Sequence, residues 1–258
     1  MKIRDPKVNR TPIRGAYILP NLLTSASLFA GFYSLVAAIN GNYLAAAWAI
    51  LVSGIFDGLD GRVARITGTT SKFGLEYDSL ADLVAFGVAP GILAFTWGLQ
   101  TYGRLGWLAG FLYVATTALR LARFNTLGSS GPGSKHFFTG LPCPSAAAMV
   151  ATTVLLCHHF GILGPVRHYG VLLLIYSLSF LMVSNVRYHS FKEVKWFNQH
   201  PFRGIIAFLL TMVVIAIEPK VTLFLIFFAY VFSGPLLHSL SLLRARRKEA
   251  GIVEKRES

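Results

Sequence analysis

Asp57-Gly-Leu-Asp60-Gly61-Arg62-Val-Ala64-Arg65, followed by Gly74, Asp78 and Asp82, is the stretch on which the reading of this chain turns. Between Pro6 and Lys192 the chain carries five acidic side chains, and all of them fall within 26 residues: Asp57, Asp60, Glu76, Asp78 and Asp82. The sequence around them is largely apolar, and a carboxylate at membrane depth is costly unless it is paired or used. Asp57 and Asp60 are spaced i,i+3, and Asp78 and Asp82 are spaced i,i+4, so each pair shares one face of a helix. Two carboxylates from each of two helices can converge on divalent cations.

The composition places that stretch in a membrane. The 258 residues are 54% hydrophobic and 14% charged, with a mean hydropathy of +0.57, whereas a soluble domain carries about 25% charged residues. No polar linker divides the chain, so the expectation is one polytopic, all-α integral membrane bundle. Its membrane domain is placed at residues 17–243, after a basic arm at 1–16 and before a charged tail at 244–258. The net charge of +13 is read as topology and not as a nucleic-acid footprint. Basic residues cluster at the N-terminus, around Arg62 to Lys72, Arg120 to Lys135 and Arg187 to Arg203, and in the tail, with Arg104, Arg167 and Lys220 outside these clusters. Clusters facing the cytosol would put 21 of 24 basic residues inside, as the positive-inside rule expects.

Apolar runs separated by polar or Gly/Pro turns give about eight transmembrane helices. They fall near Tyr17–Ile39, Tyr43–Ile66, Gly74–Leu99, Leu105–Ala122, Ser145–Phe160, His168–Ser184, Phe202–Ile217 and Val221–Leu243. An even number returns both termini to the basic, cytosolic side. Pro90 is expected to bend the third helix. Gly128–Lys135 reads as a flexible loop, and the tail after Arg244 as partly disordered. Cys143 and Cys157 read as small buried apolar residues.

The second helix delivers Asp57 and Asp60 at its cytosolic end, and the third carries Asp78 and Asp82 in its first two turns. Both pairs therefore sit at one depth, near the cytosolic boundary. Four close carboxylates repel one another, and hard divalent cations relieve that repulsion. Oxygen-only ligation suits Mg²⁺, Mn²⁺ or Ca²⁺ over zinc, and two such ions would clamp a pyrophosphate. A glycine inside a helix costs about 1 kcal/mol relative to Ala. Gly58 and Gly61 would let a flat ligand approach the backbone, while Gly54 and Gly58 also form a small-xxx-small packing pair. Arg65, where the helix emerges, either grips a phosphate or anchors the helix end.

The pattern D-x-x-D-G-x-x-A-R-x8-G-x3-D-x3-D runs without a gap from Asp57 to Asp82 and resembles the signature of the CDP-alcohol phosphatidyltransferases. The segments Pro20–Thr24, Glu76–Asp82 with Phe86–Pro90, Ala118–Asn125 and Thr139–Pro142 resemble the phosphatidylserine synthase branch of that family. The resemblance implies a membrane enzyme that uses CDP-diacylglycerol and L-serine to make phosphatidylserine and CMP, and that forms a homodimer. It also implies that Asp57, Asp60, Asp78 and Asp82 are metal ligands and that Asp82 is the general base. Gly61, Arg65 and Ser71 match positions contacting the CDP moiety, and Asn21 and Thr24 match a first-helix segment lining the nucleotide site.

Serine requires a cation for its carboxylate and an acceptor for its ammonium. Arg120 and Arg123, spaced i,i+3 and followed by Asn125, are candidates for the carboxylate, although each also fits a positive-inside anchor. Glu76 is a candidate for the ammonium. The nearest competing reading keeps the chemistry and changes the acceptor to glycerol 3-phosphate or inositol phosphate, which would call for a richer basic pocket. A more remote one is an ion-coupled transporter, which expects acids at the midplane and matched halves. No histidine has a lysine two positions on, so His-x-Lys phosphodiesterase chemistry is excluded.

Overall fold

The computed structural model describes residues 18–69, 71–128, 137–162, 169–189 and 201–257. The expected arm at 1–16, most of the Gly128–Lys135 loop and the basic residues Lys192 and Lys195 lie outside the described residues.

The described residues form eight helices: α1 (Ile18–Ile39), α2 (Tyr43–Thr67), α3 (Lys72–Tyr102), α4 (Arg104–Gly128), α5 (Cys143–His159), α6 (Tyr169–Val183), α7 (Pro201–Ile217) and α8 (Pro219–Glu257). Each expected apolar run coincides with one of them. α1, α2, α3, the 104–126 part of α4 and the 219–237 part of α8 are long and apolar enough to cross a membrane. One short antiparallel ladder interrupts the helical pattern, pairing β1 (Phe137–Thr139) with β2 (Arg187–His189) and Phe138 with Tyr188. It ties the segment after α4 to the segment after α6.

Size sorts the side chains of this bundle. The interior is rich in alanine, including Ala38, Ala46, Ala47, Ala85, Ala89, Ala109, Ala146, Ala147 and Ala151, while Phe29, Phe32, Ile55, Leu173, Phe180 and Leu236 are exposed. Lipid tails solvate large apolar groups, so helices in a membrane gain by bringing small residues together and by sharing polar contacts. The Ser27 and Ser53 hydroxyls meet at 2.8 Å across α1 and α2.

Local signals set the hairpin that carries the acids. Asn42 caps α2 by accepting from the Ala45 N–H at 3.2 Å. α2 ends on Gly68, which has φ 66°, and its N–H bonds to the Ala64 carbonyl. A residue with a Cβ would pay a steric penalty in that left-handed cap. Ser71 then caps α3 by accepting from the Gly74 N–H at 3.0 Å. The end of α2 and the start of α3 are thus folded against each other within a few residues.

α3 continues through Pro90 and departs from α geometry as two π segments, Leu83–Val88 and Phe95–Leu99. Proline offers no N–H and its ring opposes the carbonyl four residues earlier. That carbonyl belongs to Phe86, inside the first π segment, where the wider turn accommodates the mismatch. The tail also differs from expectation, because α8 runs on to Glu257 and residues 244–257 continue a helix instead of dissolving into coil. Their mixture of Arg, Lys and Glu with Ala, Ile and Val contains no breaker stronger than Gly251.

α1 lies close against α3 at Gly31. A Cβ there would lie 2.7 Å from the Ala85 Cα and 2.9 Å from its Cβ. Backbone cannot yield as a flexible side chain does, so Gly31→Ala is expected to destabilise the fold by about 1–3 kcal/mol. A lowered thermal-unfolding midpoint in detergent would register it. Gly58→Ala is the control: no atom lies within 4 Å of the added methyl, and its midpoint should hold or rise.

Candidate active site

The site forms where α1 lies across the α2–α3 hairpin. Asp57 and Asp60 stand one helical turn apart near the end of α2, and Asp78 and Asp82 stand one turn apart in α3. Asp57, Asp60 and Asp78 each offer a carboxylate oxygen, and these atoms lie within 4.8 Å of one another. Asp82 is not part of that triplet. Its carboxyl makes a side-chain hydrogen bond with Asp57 and feels the charges of Asp78 and Asp60. Three of the four acids thus form a tight group, and the fourth lies beside it, one turn further along α3.

Asp60 is the most buried of the four, at 5% exposure. The Thr24 hydroxyl is 2.8 Å from its Oδ2 and 3.1 Å from the Pro20 carbonyl. A buried carboxylate needs such a donor, and α1 supplies it from inside the Pro20–Thr24 segment. The triplet presents only oxygen atoms from three convergent acids, which fits a hard divalent cation and not a soft one.

The residues expected on the nucleotide side also gather here. The Ser71 hydroxyl and the Asn21 side-chain oxygen both flank Gly74, lying 3.1 and 3.5 Å from where its Cβ would be. Asn21 and Ser71, distant in sequence, thus border one spot, and Gly74 keeps it open. The Ser25 and Tyr77 hydroxyls meet at 2.8 Å and hold α1 on α3. Gly61 is half-buried, and its nearest neighbour would be the Arg65 guanidinium at 3.7 Å. Arg65 is exposed and donates from Nε to the Gly61 carbonyl at 2.8 Å, so the two lie together. Gly54 faces Phe86 at 3.8 Å, in keeping with helix packing. Gly58 and Gly61 face no other helix among the described residues.

The four residues expected on the acceptor side separate. Arg120 is half-buried at the end of α4 and donates to the Met182 carbonyl at 3.3 Å. Arg123 is exposed and donates to Asn185 Oδ1 at 3.2 Å. Asn125 pairs with Ser79, its Nδ2 donating at 2.9 Å, and so pins α4 to α3. Glu76 is exposed. Cys143 is buried in the core, as read, and its thiol also makes a side-chain hydrogen bond with Arg120 and feels the charge of Asp82. The packing of α5 against α3 brings it there. Cys157 is half-buried and needs no other reading. His159 lies 3.9 Å from Glu218, which the turn between α7 and α8 carries to it.

The family model described as CDP-alcohol phosphatidyltransferase matches residues 17–183. The chain is 45% identical over 185 residues to a CDP-diacylglycerol–serine O-phosphatidyltransferase of Helicobacter pylori, covering 72% of this chain and 77% of that one. It is 44% identical over 147 residues to the protein of that name from Mycobacterium leprae, covering 56% of this chain and 49% of that one. It is 34% identical over 183 residues to an archaetidylserine synthase of Methanothermobacter thermautotrophicus, covering 70% of this chain and 73% of that one. The matched region contains α1 to α6 and every acid of the cluster, and on that ground the chain belongs to the CDP-alcohol phosphatidyltransferase family.

Proposed function

We propose that this protein transfers the phosphatidyl group of CDP-diacylglycerol to the hydroxyl of L-serine, giving phosphatidylserine and CMP in phospholipid biosynthesis. The observation that carries the reading is the convergence of Asp57, Asp60 and Asp78 within 4.8 Å, with Asp82 against Asp57, at a helix hairpin end. The serine half of the reading is supported by relatives whose names specify that reaction.

Asp57, Asp60, Asp78 and Asp82 would hold the divalent cations, two Mg²⁺ or Mn²⁺ ions, with Ca²⁺ admitted by the same donor set. When bound, they would neutralise pyrophosphate charge and leave its phosphorus open to attack. Thr24 fixes the Asp60 carboxylate. Asn21, Thr24, Gly61, Arg65 and Ser71 would receive the CDP moiety, with Arg65 leaving its own helix carbonyl to meet a phosphate. Asp82, set beside the tight triplet, accepts the proton of the serine hydroxyl. That oxygen attacks the phosphorus bonded to diacylglycerol, the bond to CMP breaks, and CMP leaves. Arg120 or Arg123 would take the serine carboxylate, and Glu76 its ammonium, with Asn125 holding α4 in place.

The same proposal includes about eight membrane crossings, with α5, α6 and α7 completing the longer five, and a site open to the cytosol beneath the basic clusters. It also includes the homodimer implied by the family resemblance, and the limits 1–16, 17–243 and 244–258 for arm, membrane domain and tail. The test is purified protein with CDP-diacylglycerol and a panel of L-serine, glycerol 3-phosphate and inositol phosphate, with and without Mg²⁺ or Mn²⁺. CMP release that needs both metal and L-serine is the expected result. Release with a phosphate-bearing acceptor and not with serine would replace the acceptor in this reading.

A further inference from the structure

α8 crosses a proline without leaving α geometry. Pro235 lies inside the helix, which runs from Pro219 to Glu257. A proline has no N–H for the carbonyl four residues earlier, and its ring crowds that carbonyl. Here the carbonyl belongs to Val231, a buried residue in the apolar 219–237 part of α8. At membrane depth no water replaces the lost donor, so the freed carbonyl needs one from the protein. α3 answers Pro90 with a π segment. α8 stays α-helical across Pro235 and takes its donor from elsewhere.

That donor comes from β2. Tyr188 is fully buried, and its hydroxyl donates to the Val231 carbonyl at 3.1 Å. Gly234 makes room for it, since a Cβ there would run into the Tyr188 ring. Proline thus creates the need and the preceding glycine admits the side chain that meets it. The Tyr230 ring lies tilted against Tyr188, with centroids 5.7 Å apart. The nearby serines are engaged with other carbonyls, Ser233 with that of Tyr230 and Ser239 with that of Pro235, each at 2.7 Å. Tyr188 is also the middle residue of the ladder, opposite Phe138. One side chain therefore joins the ladder to α8.

We propose that Tyr188 is a latch on a hinge in α8. While the ladder is docked, the tyrosine hydroxyl stands in for the N–H that Pro235 lacks and holds the helix as one piece. When the ladder lifts, α8 is free to bend at residues 231–235, where a proline and a glycine weaken it. The two states differ by one hydrogen bond and one buried ring, and the bend would move everything from residue 236 to the charged tail. Coupling of this kind is reciprocal: what lifts the ladder frees the tail, and what pulls the tail loosens the ladder. The latch is independent of which alcohol accepts the phosphatidyl group.

Hydrogen exchange on the full-length protein in detergent tests it. Tyr188→Phe removes the hydroxyl and keeps the ring, and amides of residues 236–243 should then exchange about tenfold faster. Those of α5 should stay at the wild-type rate. Pro235→Ala restores an N–H for the Val231 carbonyl, so Tyr188→Phe combined with Pro235→Ala should return residues 236–243 to wild-type exchange. Gly234→Ala should lower the unfolding midpoint, although alanine is the better helix former, because its methyl displaces the latch. Should Tyr188→Phe alone fail to fold, the double variant should fold and show wild-type protection. Unchanged exchange at 236–243 in Tyr188→Phe would overturn the proposal. So would equally fast exchange in the double variant, or a rise spread evenly over α5 and α8, which would mark a general loss of packing.

Discussion

Asp82→Asn is expected to abolish phosphatidyl transfer while leaving CDP-diacylglycerol bound. General-base catalysis contributes roughly 10²–10⁴-fold, and the amide of asparagine has no basic lone pair to replace the carboxylate. The substitution preserves size, and the new amide can still donate to Asp57, with which Asp82 already hydrogen-bonds. The fold and the nucleotide side should therefore survive. Two measurements on one preparation decide it: CMP release with L-serine, and retention of labelled CDP-diacylglycerol. Turnover near the wild-type rate would remove Asp82 from the role of base. Retention of configuration at a chiral phosphorus would favour a covalent phosphatidyl-enzyme over direct displacement.

Exhaustive chelation should have an effect as large, with activity lost and then restored by Mg²⁺ or Mn²⁺. Three carboxylate oxygens within 4.8 Å of one another repel strongly wherever water is scarce. A cation bound at 100 times its Kd would stabilise the folded protein by about 2.7 kcal/mol. The unfolding midpoint should accordingly climb as Mg²⁺ is added, in the absence of any substrate. Asp60→Asn should flatten that response, since it neutralises the most buried acid and the one that Thr24 orients. An enzyme fully active after chelation, with a midpoint indifferent to the ion, would mean that the acids serve some purpose other than metal binding.

These expectations differ in how far the sequence supports them. Asp57, Asp60, Asp78 and Asp82 were visible because charge stands out in an apolar chain and because helical periodicity places i,i+3 and i,i+4 residues on one face. The eight apolar runs were legible for the same local reason. Thr24 and Asn21 came from resemblance to a family pattern, and the structure places them beside Asp60 and Gly74. The π turns around Pro90 were not foreseen, because the sequence records that a hydrogen bond is lost and not how the helix absorbs the loss. The helical tail was misread because its composition is that of a soluble segment.

Cys143 and Tyr230 mark where sequence reading stopped. A cysteine in a span and a tyrosine on the last helix are each ordinary in a membrane protein. Local periodicity and composition determined that the chain is a helical membrane protein with an acid cluster at one hairpin, since those features depend on neighbours within a few turns. Tertiary structure alone decided that three of the acids form the tight group, and that Arg120 meets a thiol and a phenol from α5 and α8. Those encounters join residues more than twenty and more than a hundred positions apart, and helix packing, which no local pattern encodes, sets them.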